Sequence, residues 1–320
     1  MNGTVPDTAQ SRPPLYLLIV NYYSVELIQQ LLQTVGSHAL PVVVVNNAPD
    51  DEAVRALPRR YPQLALIEPG QNLGFGAGCG LGLARIYETQ PTAQVWLINP
   101  DTLLDNGAVT EVQTCFEAHP ELAILGTRIR DMAGQPWFTT GRFNGWTGAI
   151  THRGDRDQTG SPAAHTQTRD FKASVLPSQW VSGCSLIVNL AQFQTCPTFD
   201  KHLFLYYEDV EFCLRYQRQG KSVGVTRATL VTHAVSSTTG RQPAAKLAHA
   251  TFSKLYVLKQ HGSAIALVLN LVYLLLQSWG GWLIGDAPRA TGRWLGLRQF
   301  MQFVLTGQKV PFDKESDYAG

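Results

Sequence analysis

Residues 204–211 set Glu208, Asp209 and Glu211 directly behind Phe204, Tyr206 and Tyr207, at the start of a predicted helix. A helix N-terminus stabilises anions through its dipole. Acids beside aromatic rings suit a sugar, with one carboxylate serving as general base toward a hydroxyl. The same acids also fit an N-cap and an acidic first turn. A second constellation is Asn99-Pro100-Asp101, at the end of a predicted buried strand. A carboxylate there can hold a hard divalent cation bridging two phosphates, and the triplet equally makes a helix-capping turn. His233 also follows a predicted strand, as a metal ligand or as a packed histidine. Glycines at 74, 76, 78, 80 and 82 form no G-x-G-x-x-G and no G-x-x-x-x-G-K-[ST], which excludes a dinucleotide fingerprint and a P-loop. They leave a helix start whose N–H groups suit a diphosphate, or one packed closely on a sheet through small residues. No G-x-S-x-G elbow supports a serine hydrolase.

The elements that must position these groups alternate. Apolar runs at 15–20, 41–45, 64–67, 95–98 and 122–125 read as strands. Helical spacing follows at 27–35 behind Ser24, at 50–57 up to a stop at Pro58, behind the glycines, and at 106–117. Strands apolar on both faces and separated by helices predict an α/β fold with a mostly parallel sheet, whose ligands bind at the carboxyl ends. Regularity fades over 126–178, which reads as long loops or short antiparallel strands. It returns with a strand region at 180–188, a helix at 209–219 and a strand at 223–231.

The chain has 320 residues, about two domains or one large one at ~150 residues each. It is 44% hydrophobic, which excludes intrinsic disorder. Its formal net charge of +2 gives no argument for nucleic acid as a partner. Five cysteines without a C-x-x-C pair exclude a disulfide scaffold and a zinc ribbon, and fit a reducing compartment. The weakly interrupted apolar run 263–284 would be ~33 Å long as a helix. Asn270, Gln277, Ser278, Gly280 and Gly281 interrupt it, and basic residues flank both sides. Together with 293–305 it reads as helices lying in a membrane interface, or as a buried core helix.

Taken in order, the segments 19–22, 45–48, 72–75, 97–102, 183–187, 199–200, 204–211 and 231–233 resemble the inverting nucleotide-sugar glycosyltransferases of family two, with the GT-A fold. More narrowly they resemble its bacterial rhamnosyltransferase-like branch, over about 220 residues. The resemblance implies a disordered stretch 1–14, a GT-A catalytic domain 15–255 and a membrane-associated helical region 256–320. The catalytic domain divides into a nucleotide-binding half 15–126 and an acceptor half 127–255. Asp209 stands at the family's general base, and Asp101 with His233 at its metal ligands, for Mg²⁺ or Mn²⁺. Asn21, Asn46, Asn72, Gly74, Gly78, Asn99 and Asp101 fall on the nucleotide-sugar side, and Gly183, Glu208 and Glu211 on the acceptor side. Asn46 replaces the usual aspartate that accepts a pyrimidine N3–H; its amide oxygen would accept more weakly. Gly80 replaces an asparagine. The implied activity is inverting transfer of a rhamnose-like sugar from dTDP-rhamnose or a UDP-sugar to a lipid-linked or polysaccharide acceptor. The protein would be cytoplasmic and peripheral on the inner face of the membrane. A non-catalytic nucleotide- or glycan-binding homologue is the alternative.

Overall fold

The all-apolar runs become neighbouring strands. The computed structural model describes residues 12–36, 38–153, 174–234 and 243–308, so most of the expected N-terminal stretch and the last residues beyond 308 lie outside it. In chain order the first elements are β1 (Leu15–Asn21), α1 (Val25–Thr34), β2 (Val42–Asn46), α2 (Leu57–Arg60), β3 (Leu64–Ile67) and α3 (Phe75–Thr89). They are followed by β4 (Gln94–Ile98), β5 (Thr102–Leu104), α4 (Ala108–Ala118) and β6 (Leu122–Asp131). β3, β2, β1 and β4 lie side by side and parallel, with β2 and β4 buried along their whole length. Each fully buried Leu, Ile or Val there contributes ~1.5–3 kcal/mol. Pro58 does not stop the helix expected at 50–57. It lies in the first turn of α2, after a 3-10 turn Glu52–Ala56, because its missing N–H costs nothing there.

The stretch without regular patterning forms short antiparallel pieces. These are β7 (Pro136–Phe138), which pairs with β6, the hairpin β8 (Thr140–Asn144) and β9 (Ala149–Arg153), and β10 (Val175–Pro177). β11 (Ser185–Asn189) inserts antiparallel between β4 and β6. The buried Trp96 indole donates to Ser185 Oγ at 2.9 Å, and Thr127 Oγ1 donates to the same oxygen at 2.8 Å. This satisfies the only polar atom of a side chain deep in the core and ties β4, β11 and β6 together. After α5 (Glu208–Arg218), the long strand β12 (Ser222–His233) runs parallel to β6, and its end pairs with β5. That register sets His233 opposite Thr102, which brings Asp101 and His233 to one edge.

Three helices complete the described chain: α6 (Pro243–His261), α7 (Ala264–Leu283) and α8 (Ala287–Thr306). The 255/256 boundary expected for the catalytic domain falls inside α6, whose Phe252, Leu255 and Tyr256 belong to the main core. α8 packs on α6 through small residues; a Cβ at Gly292 or Gly296 would strike the Ala244 or Ala248 carbonyl at 2.5 Å. α7 buries Ala266, Asn270, Leu274, Ser278 and Gly281 and leaves most of its large apolar side chains exposed. All five cysteines are free thiols.

Candidate active site

A cavity of about 580 Å³ lies at the carboxyl end of β4 and the start of α5. Asn99, Gly183, Tyr207, Glu208 and Asp209 all line it. Tyr206 and Tyr207 enter α5 with φ of +67° and +63°, a conformation that costs side-chain-bearing residues about 1–3 kcal/mol and clusters at functional sites. This sharp entry turns Glu208 and Asp209 inward. Asp209 Oδ2 accepts the Gly183 N–H at 2.8 Å, and Oδ1 accepts the Val210 N–H at 2.8 Å. Burial pushes the Asp209 carboxyl upward; the two N–H groups pull it back, and the net shift is up, toward a better base. Gly183 permits the contact, since a Cβ there would stand 3.0 Å from the Phe75 ring and 3.5 Å from the Asp209 Cβ.

Asp101 and His233 meet as their spacing after two strands predicts. His233 Nε2 lies 3.3 Å from Asp101 Oδ2, with the Trp137 ring edge-on to the imidazole at 4.5 Å. Asp101 Oδ1 and His233 Nδ1 are buried without a hydrogen-bond partner. The donor set fits a divalent cation that takes one carboxylate, one imidazole and substrate phosphates. No cluster of three or more such side chains occurs among the described residues.

Several expected nucleotide contacts have other roles. Asn21 is fully buried: its oxygen accepts from the Ser24 N–H and hydroxyl, and its Nδ2 donates to Asn46 and Asp51. It positions Asn46 rather than facing a ligand. Asn46 Oδ1 accepts from Asn21 at 3.0 Å and from the Ala48 N–H at 3.1 Å, while its Nδ2 has no partner. The backbone N–H fixes this orientation, so Asn46 has a donor to offer and not the acceptor expected of it. Asn72 caps the Gly74 N–H, and the Phe75 N–H donates to the Phe204 carbonyl, so two N–H groups of the supposed phosphate cradle already have partners. Gly74 sits at φ +80° with a would-be Cβ 2.3 Å from the Phe204 oxygen, and Gly78 fits under Val20 and Asn47. The glycine cluster therefore packs α3 against the sheet, and neither Asn72, Gly74 nor Gly78 lines the cavity.

Glu211, expected on the acceptor side, does not line the cavity. It is 2% exposed and paired with Arg215 at 2.8 Å, because it sits ~200° around α5 from Asp209. Sequence patterning missed Trp137, Phe138, Ile150, His152 and Trp180, which also line the cavity. They come from three short segments without periodicity, and apart from Ile150 only their aromatic rings marked them.

No family model matches the chain. It is similar to the N-acetylglucosaminyl-diphospho-decaprenol L-rhamnosyltransferase of Mycobacterium tuberculosis, at 30% identity over 223 residues, 65% of this chain and 70% of that one. It is also similar to a low-salt glycan biosynthesis hexosyltransferase of Haloferax volcanii, 24% identical over 210 residues, 66% of this chain and 64% of that one. Among solved structures, S. aureus TarS 1-349 shares the fold at a TM-score of 0.51 with 12% identity, covering 94% of both chains.

Proposed function

The chain belongs to glycosyltransferase family two, in its rhamnosyltransferase-like branch, and from that premise we propose that it moves a rhamnose-like sugar from a nucleoside diphosphate to a lipid-linked glycan with inversion at the anomeric carbon. The observation that carries this is Asp209. Its carboxylate is anchored by two backbone N–H groups, faces the cavity and is made more basic by burial. Such a group takes the proton from an acceptor hydroxyl as that oxygen attacks in line, so no covalent enzyme intermediate is needed. Asp101 and His233 would hold Mg²⁺ or Mn²⁺, which when bound supplies positive charge against the departing diphosphate. Asn99 and Gly183 border the reacting centre, and Glu208 stands beside the base.

The donor is dTDP-rhamnose or a UDP-sugar, and the acceptor hydroxyl belongs to a lipid-linked or polysaccharide glycan. Such an acceptor places the enzyme at the inner face of the cytoplasmic membrane. The helix Ala264–Leu283 is long and apolar enough to cross a membrane. Its exposed Ile265, Leu269, Val272, Leu276 and Trp279, against a buried stripe of Ala266, Asn270, Leu274, Ser278 and Gly281, favour lying in the interface instead. The test is release of nucleoside diphosphate from both donors, with a polyprenyl-diphosphate sugar as acceptor, with and without chelator. Proton coupling in the product reads its anomeric configuration. Retention of configuration, or no release from any donor, overturns the proposal.

A further inference from the structure

The cavity that Asp209 lines also carries the composition of a sugar platform. Trp137 and His152 stack with ring centres 6.1 Å apart and planes at 29°, and Trp180 stands edge-on to His152 at 6.4 Å. Phe138 fills the corner 5.2 Å from Trp180. The platform is rigid from behind. The Trp180 indole N–H donates to the Arg142 carbonyl at 3.2 Å, and Gly141 lies so close that a Cβ would strike the indole at 2.4 Å. His152 is exposed and Trp137 half-buried, and both line the cavity, which brings an aromatic surface and an imidazole to it. A pyranose needs both: its C–H face rests on rings while its hydroxyls find polar partners.

The hairpin bearing His152 is tied to the apolar helix. The Ser263 N–H donates to the Gly145 carbonyl at 2.8 Å, and Asn270 Nδ2 donates to the Thr147 carbonyl at 3.0 Å. Gly148 fits against Asn270 and Leu258 with no room for a Cβ. Asn270, a polar break in an apolar run, is thus the link between α7 and the cavity wall.

We propose that β7 and the β8–β9 hairpin form the acceptor subsite: a pyranose carried on a lipid diphosphate lies against Trp137 and His152, with its reactive hydroxyl toward Asp209. The subsite rests on the transferase function proposed above. His152 sets acceptor affinity by hydrogen bonding, and Ile150 completes the apolar edge.

The test compares the native enzyme with His152→Ala, His152→Gln and Ile150→Ala on two probes, farnesyl diphospho-N-acetylglucosamine and the methyl glycoside of N-acetylglucosamine. His152→Ala should raise the KM for the farnesyl probe at least tenfold, with the donor KM within twofold. His152→Gln should recover part of the loss, because its amide also bonds a hydroxyl, and Ile150→Ala should show a smaller rise. Saturation-transfer NMR without donor should label the sugar ring protons on the native enzyme and lose that label in His152→Ala. An unchanged acceptor KM, or a loss that falls on the donor KM, overturns the subsite. Equal use of both probes overturns its lipid-borne part. A native enzyme that binds the probe's ring but transfers no sugar keeps the subsite and overturns the transferase function.

Discussion

At the scale of single residues, the proposed role of Asp209 as base can be separated from that of a helix cap. Asp209→Asn keeps the size and one acceptor for the Gly183 N–H but cannot take a proton. Turnover should fall by ~10²–10⁴ while donor affinity, read by calorimetry, stays near native. Because burial raises the Asp209 carboxyl, native turnover should drop with falling pH above the ordinary carboxylate range near ~3.9. A kcat–pH profile flat down to that range would show that Asp209 is not the base. Asn46 makes a different prediction. In Asn46→Asp one oxygen can serve Asn21 and Ala48, leaving a buried carboxylate oxygen without a partner. The free variant should melt lower than the native protein, and uridine diphosphate should raise its Tm by more than it raises the native one. Equal ligand shifts would place the base elsewhere.

At the scale of elements, the glycines of α3 separate into those that packing requires and one that it does not. A Cβ at Gly74 meets backbone at 2.3 Å in a left-handed conformation, whereas at Gly80 the nearest atom is 4.0 Å away. Gly74→Ala should therefore cost at least ~2 kcal/mol, and Gly80→Ala should be neutral or stabilising by up to ~1 kcal/mol from helix propensity. Urea denaturation of the two variants measures both. α5 shows the same division. Glu208 and Asp209 face the cavity, while Glu211 holds Arg215 at 2.8 Å, with His261 of α6 3.6 Å away. A second tie to α6 comes from Asp200, which accepts from His202 at 2.8 Å and from the Tyr256 hydroxyl at 2.7 Å. Burial alone would raise this carboxyl, but these bonds outweigh it and hold it below its ordinary value.

At the scale of the whole molecule, the C-terminal helices divide between core and surface. α6 and α8 contribute Phe252, Tyr256, Leu297 and Phe300 to the core, so deleting them would unfold more than an anchor. α7 is the element to test, by substitution. Leu269→Asp together with Leu276→Asp on its exposed face should abolish sedimentation with anionic liposomes and leave the circular dichroism spectrum native. Native binding should weaken with salt in proportion to its electrostatic part. A double variant that still sediments would show that α7 is not the lipid-facing element.

The order of strands and helices through residue 125 was legible in the sequence because each strand is buried on both faces and so must be continuously apolar. Asp101, His233 and Asp209 were legible as candidates because polar groups directly follow such strands or open a helix. The helix α6 was not, since its apolar residues meet α5, α7 and α8 around much of its circumference and leave no single stripe. Nor were the cavity's aromatic residues: β7 and β9, which carry most of them, are three and five residues long, too short for a period to register. Tertiary structure alone decided which acid faces the cavity, which end of the Asn46 amide is free and what Asn270 holds. For Asp209 and Asn270 the outcome depends on a partner distant in the chain, Gly183 and Thr147, and for Asn46 the nearby Ala48 N–H sets the amide that Asn21 then meets. A side chain's type states which bonds it can form, and only packing determines which of them it makes.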